Sequence, residues 1–162
     1  MKKSILINDL KSLVDKLRRN NKKIVFTNGC FDIIHPGHIH LLKKSKSMGD
    51  VLMVALNSDS SIKKIKGEKR PFNIEKDRIK ILESIRFVDY VTVFSNETPK
   101  GLIKLIKPDI LVKGGDYNKT EIVVYKTVIQ YGVKVETVAL LEWYSTSDLI
   151  NNFNPYIIFK EY

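Results

Sequence analysis

Residues 51–56, Val-Leu-Met-Val-Ala-Leu, constrain this chain more than any other segment. A strand with no polar member has no face to give to water. It must be covered on both sides, as in a parallel sheet lying between two layers of helices. Runs with β-branched and aromatic residues recur at 23–27, 90–94, 110–112 and 133–139. Between them the apolar residues change to helical spacing. Leu10, Leu13, Val14 and Leu17 predict a helix over 8–20, and Ile39, Leu41, Leu42 and Met48 one over 37–48, with Gly49 as its stop. Ile74, Ile79, Ile81, Leu82 and Ile85 predict a helix over 74–86. Thr98 and Pro99 look like the cap and first turn of another, reaching about Ile106, and a last one is expected over 120–131. Strands alternating with helices place the chain in the α/β class, a parallel sheet flanked by helices and joined by right-handed crossovers. Ligands bind such sheets beyond the strands' C-terminal ends, near the point where strand order reverses. The segments to inspect therefore follow Thr27, Leu56, Val112 and Ala139.

The 162 residues suit one domain, 1–162, with a core at 8–150 and a tail at 151–162 that has no assigned role. No apolar run approaches the roughly 18 residues of a membrane span. The start, Met1-Lys2-Lys3-Ser4-Ile5-Leu6-Ile7, holds too short an apolar run for a signal peptide, so the cytoplasm is the expected compartment. A single cysteine, Cys30, leaves no internal disulfide and no cysteine-cluster zinc site. The net charge of +10 has two readings: an anionic partner, or lysines on solvated helix faces. The lysines are spread along the chain without an aromatic-basic motif, so neither nucleic acid nor membrane is the expected partner.

The chemistry concentrates in Thr27-Asn28-Gly29-Cys30-Phe31-Asp32-Ile33-Ile34-His35-Pro36-Gly37-His38, after the first strand and into the next helix. Asn28-Gly29 reads as the strand's break, and Gly29 admits a ligand close to the backbone. Pro36 suits a first helical turn. A helix start offers free N–H groups and a positive dipole to an anion. His35 and His38, three apart across that start, can turn their rings to the same side and donate to phosphate oxygens. Their spacing, with a proline between and no glutamate, does not match the zinc-binding helix of metalloproteases.

These residues resemble the cytidylyltransferase-like family of nucleotidyltransferases, whose signature is a glycine-aromatic-aspartate turn followed by His-x-Gly-His. The match continues in family order through Gly49-Asp50, Asn57-Ser58-Asp59, Lys66-Gly67-Glu68-Lys69-Arg70-Pro71, Arg78, Val88-Asp89, Lys107-Pro108-Asp109, Lys113-Gly114-Gly115-Asp116-Tyr117 and Ser145-Thr146-Ser147. Together the blocks are most similar to the adenylyltransferase domains of bacterial ADP-heptose synthases, over about residues 8–150. The resemblance implies a Rossmann-like nucleotidyltransferase fold. It implies a reaction in which a sugar 1-phosphate (heptose 1-phosphate) and ATP give a nucleotide-sugar and pyrophosphate. Magnesium would be carried on the triphosphate, with no direct protein ligand. A homodimer is one arrangement it allows. Two rival readings stand beside it: a cytidylyltransferase for glycerol 3-phosphate or another small phosphate, and a non-catalytic anion- or nucleic-acid-binding module.

The resemblance also implies roles. His35, His38 and Lys66 would be catalytic, the histidines steadying the α-phosphate and the departing pyrophosphate. Thr27, Gly29, Cys30, Phe31, Asp32, Gly37, Arg78, Lys113, Gly115, Asp116, Ser145 and Thr146 would surround the nucleotide. Asn57, Asp59 and Arg70 would meet the acceptor. Local alternatives remain for several of these. Asp32 equally caps a turn, Asp59 equally caps a helix over 60–65, and Arg78 equally lies exposed on its helix. Lys64 and Lys66 are read as part of a basic, glycine-bearing loop. Cys30 reads as a packing residue. Residues 141–144, Leu-Glu-Trp-Tyr, and the apolar-aromatic tail depart from the family pattern. The sugar-kinase domain that often accompanies this one is absent from the sequence, so a separate kinase is expected to supply the sugar 1-phosphate.

Overall fold

The computed structural model describes residues 3–115 and 125–139. In chain order its elements are α1 (Ile7–Arg19), β1 (Ile24–Gly29), α2 (Pro36–Lys46), β2 (Val51–Asn57), α3 (Asp59–Lys66), α4 (Glu75–Ser84), β3 (Tyr90–Phe94), α5 (Lys100–Ile106), β4 (Ile110–Gly114), α6 (Tyr125–Ile129) and β5 (Lys134–Val138). The strands form one parallel sheet in the order β3-β2-β1-β4-β5. The chain moves outward from β1 to β3, then crosses back to lay β4 on the other side of β1. The order reverses between β1 and β4, and that boundary is the switch point. The architecture is Rossmann-like α/β, as the strand–helix alternation requires.

The run at 51–56 behaves as its composition demands. All seven residues of β2 are buried. Val51, Met53 and Ala55 enter a core beneath α1, α5 and α6, where Leu10, Val14, Leu17, Ile103 and Val128 meet Ile24 and Phe26. Leu52, Val54 and Leu56 enter the opposite core, with Leu42 of α2 and Leu82 of α4. Each large side chain buried this way is worth about 1.5–3 kcal/mol, so a polar substitution on either face of β2 would damage the fold. The β3 edge is not left bare: Ile5 N–H donates to Val91 O at 2.8 Å, and Val91 N–H to Lys3 O at 3.0 Å.

Three aspartates secure the N-terminal ends of the strands. Asp109 accepts Ile24 N–H at 2.7 Å and Arg18; Asp89 accepts Leu52 N–H at 2.7 Å and Lys46; Asp50 accepts Lys23 N–H at 2.8 Å. Three of the blocks carrying the family resemblance therefore sit at the end of the sheet away from the switch-point crevice, where they hold strands.

Several local expectations are corrected. Asn28-Gly29 does not end the strand, because pairing with β2 continues to Gly29↔Leu56. Lys64 and Lys66 do not lie in a loop; they occupy the last turns of α3, and the loop begins at Gly67, whose φ of 92° ends the helix. Asp59 is not the cap of that helix. Ser58 is, its side chain accepting Ser61 N–H at 3.2 Å. Ile74 and Ile81 contribute little to the core, at 55% and 37% exposed. Asp116, Ser145, Thr146, residues 141–144 and the 151–162 tail lie outside the described residues.

Candidate active site

The turn from β1 into α2 places the histidines. Gly29 lies under the Phe31 ring, and a Cβ there would meet that ring at 3.1 Å. Phe31 takes the left-handed φ of 44° and is buried. His35 adopts the extended N-cap conformation of α2, and Pro36 follows as the first helical residue. This is the position at which a missing N–H costs nothing. The first turn then brings the two imidazoles together, with centroids 3.8 Å apart and planes 33° apart. His38 also packs against Phe31 at 5.1 Å.

Two positive rings at that separation would repel, and burial further disfavours charge. Burial pushes His38 down to about 4, helped by the charges of His35 and Lys66 and opposed by the Ile33 carbonyl. Burial likewise lowers His35. Both shifts favour neutral rings, each with a single N–H at the positive end of a helix, and the Ile33 carbonyl lies beside that of His38.

A second layer of charged groups holds the site's wall. Asp32, 2% exposed, accepts Arg70 Nε at 2.8 Å and Asn73 N–H and Phe72 N–H at 2.9 Å each. Burial alone would raise its carboxyl, but the two amides and Arg70 outweigh burial and hold it below its ordinary value. Asp32 therefore ties the signature turn to the loop beyond α3. Arg70, expected at the acceptor, has its guanidinium committed to Asp32, with Nη2 at 2.6 Å. Arg78 is fully buried rather than exposed. It donates to Asn73 O at 2.9 Å, Cys30 O at 2.7 Å, Asn57 O at 2.8 Å and Asp59 Oδ1 at 2.7 Å. One side chain thus pins the end of β1, the end of β2 and the 67–74 loop. Asp59 is engaged further by Glu75 N–H at 3.1 Å.

Other expected residues converge on the same end of the sheet. Thr27 is buried in β1, and Asn57 ends β2, its Nδ2 donating to Ser61 Oγ at 3.0 Å. Lys66 is exposed at the end of α3, and its charge acts on both His38 and Cys30. Burial raises the Cys30 thiol, against the pull of Lys66, Arg78 and Arg70. Gly37 lies in the first turn of α2. Gly115 follows β4 with φ 127°, its N–H donating to Val138 O at 3.0 Å. Lys113, near the end of β4, reaches across to Asn28 Oδ1.

A sequence profile described as cytidylyltransferase-like matches residues 26–152. The chain belongs to this cytidylyltransferase-like family. Among curated proteins it is similar to the bifunctional protein HldE of Helicobacter pylori strain J99, with 50% identity over 141 residues, 87% of this chain and 30% of that protein. It is also similar to the bifunctional protein HldE of Marinomonas sp. strain MWYL1, with 46% identity over 146 residues, 90% of this chain and 31% of that protein. The chain thus spans about a third of the length of the curated relatives it matches. A Thermoplasma volcanium structure titled lipopolysaccharide core biosynthesis protein superposes with a TM-score of 0.62 at 28% identity, covering 76% of this chain and 99% of that one. A Francisella tularensis pantoate-beta-alanine ligase, at 18% identity and TM-score 0.66, covers 96% of this chain and 75% of its own and shares the fold.

Within the cytidylyltransferase-like frame, sequence reasoning overlooked Asn28, Asn73 and Ser58. Asn28-Gly29 has the local look of a strand break, although a polar residue at a strand's C-terminal end beside the switch point is itself a signal. Asn73 carried no local signal; its role appears only when the loop folds back on Asp32.

Proposed function

We propose that this chain transfers AMP from ATP to heptose 1-phosphate and releases pyrophosphate. The observation that carries the reading is the closely packed His35–His38 pair at the start of α2, beside the switch point. Names among the relatives point the same way: bifunctional protein HldE, and a structure titled lipopolysaccharide core biosynthesis protein.

In the reaction a phosphate oxygen of the sugar attacks the α-phosphorus of ATP. A new P–O bond forms, the bond from the α-phosphorus to the bridging oxygen breaks, and pyrophosphate leaves with that electron pair. The attacking group is already an anion, so no general base is needed. What remains is alignment and stabilisation of developing charge. Pro36 has no N–H and the His38 and Ile39 amides are spent on His35 O, so the donors at the start of α2 are Gly37 N–H and the two imidazoles, and Lys66 supplies positive charge at the rim. Asp32, Arg70 and Arg78 act one step back, by holding the signature turn and the 67–74 loop in register. Magnesium on the triphosphate would offset its charge. Among the described residues no cluster of three or more His, Cys, Asp or Glu is arranged to hold an ion, and the Asp32 carboxylate is taken up by Arg70 and amides.

The test is a matrix of triphosphates against phosphate acceptors with magnesium, read as pyrophosphate release. ATP with heptose 1-phosphate should be the productive pair. Turnover with CTP and glycerol 3-phosphate instead would overturn the assignment. Changing both His35 and His38 to alanine should remove at least about 10³-fold of turnover while the circular-dichroism spectrum is kept. Undiminished turnover in that double variant would refute the mechanism.

A further inference from the structure

The strand ladder is uneven around β1. On the β2 side, pairing runs through six positions, from Ile24↔Val51 to Gly29↔Leu56. On the β4 side it covers only Val25↔Ile110 and Phe26↔Leu111. Beyond Leu111 the two strands part, and the sheet opens at its switch point. Continuing the register brings Asn28 opposite Lys113. Their side chains span the opening, with Lys113 Nζ donating to Asn28 Oδ1.

We propose that Lys113 binds a substrate phosphate in this crevice, and that Asn28 is the positioning residue that aims its ammonium there. The inference rests on the reading of the site as one for phosphorylated substrates. An ammonium has three donors, and a single amide oxygen satisfies one. Among the described residues no carboxylate forms an ion pair with Lys113. A neutral acceptor orients the cation without cancelling its charge, which leaves that charge for an anion. Burial supports this, since it pulls Lys113 down to about 8, opposed only by the nearby Cys30 thiol. A phosphate oxyanion is a counter-charge of the kind such a cation binds. Two substrates carry one: the triphosphate and the acceptor's phosphate.

The experiment measures KM and kcat for each substrate, together with calorimetric binding of magnesium-ATP and of heptose 1-phosphate separately. Lys113→Gln should weaken one of the two by about ten- to hundredfold, the effect of removing one charged hydrogen bond. Which KM and which calorimetric affinity move identifies the phosphate. Lys113→Arg should restore part of the loss. Asn28→Leu should raise the same KM with a smaller effect on kcat, and adding it to Lys113→Gln should do no further harm, because both remove one interaction. Lys113→Met, an apolar residue of similar length, serves if the glutamine variant does not fold. Unchanged affinity for both substrates in a folded Lys113 variant overturns the proposal, as does full additivity of the two substitutions. If heptose 1-phosphate is no acceptor yet magnesium-ATP binding still depends on Lys113, the sugar assignment falls and this inference stands.

Discussion

Arg78→Lys looks conservative and should not be. The guanidinium is fully buried and reaches four acceptors from three nitrogens: Asn73 O, Cys30 O, Asn57 O and Asp59 Oδ1. An ammonium offers three donors from a single point and cannot reproduce that fork. At least one buried acceptor, and by geometry two, would lose its partner. Each costs about 1–3 kcal/mol, so the expected loss is about 2–4 kcal/mol. For a chain of this size that lowers Tm by roughly 5–15 °C. The carbonyls released belong to the end of β1, the end of β2 and the 67–74 loop, so turnover should fall too, by at least about tenfold. Thermal denaturation followed by circular dichroism, with pyrophosphate release measured well below the variant's Tm, checks both numbers. A Tm within about 2 °C of the wild type, with undiminished turnover, would show that Arg78 does not hold the site together.

Stability should also depend on pH through His38. Its folded-state value of about 4 lies below the ordinary value of about 6.5, so between these the unfolded chain holds the extra proton. The contribution is complete above about pH 6.5 and is lost as pH falls toward 4; Tm measured from pH 8 to 4 should show that decline, and His38→Gln should flatten it. Equal slopes for the two proteins would remove His38 as the cause. Gly49→Ala should destabilise by about 1–3 kcal/mol through overpacking, because its Cβ would meet Val25 Cγ2 at 2.7 Å and Lys23 O at 2.9 Å. Gly49 precedes β2 at the end of the sheet away from the histidines, so urea denaturation should move while kcat of the folded enzyme does not.

The fold class was legible in the chain because its signals are local. A strand with no polar residue must be covered on both faces, and 51–56 is covered by two cores. The His35–His38 pairing was legible for the same reason, since a helix start, a proline and a three-residue spacing determine where the rings go. Residue type did not distinguish a strand fastener from a site residue. Asp50, Asp89 and Asp109 fasten the far end of the sheet, while Asp32 and Asp59 organise the site. That sorting depends on which strand end each aspartate follows or precedes. The partnerships that matter most span long separations: Asp32 with Arg70 over 38 residues, Asn28 with Lys113 over 85. No periodicity or cap encodes such a pair. It exists only once the sheet has set strand order, because burial leaves each charged or polar group to find its partner among whatever the packing brings within about 3 Å.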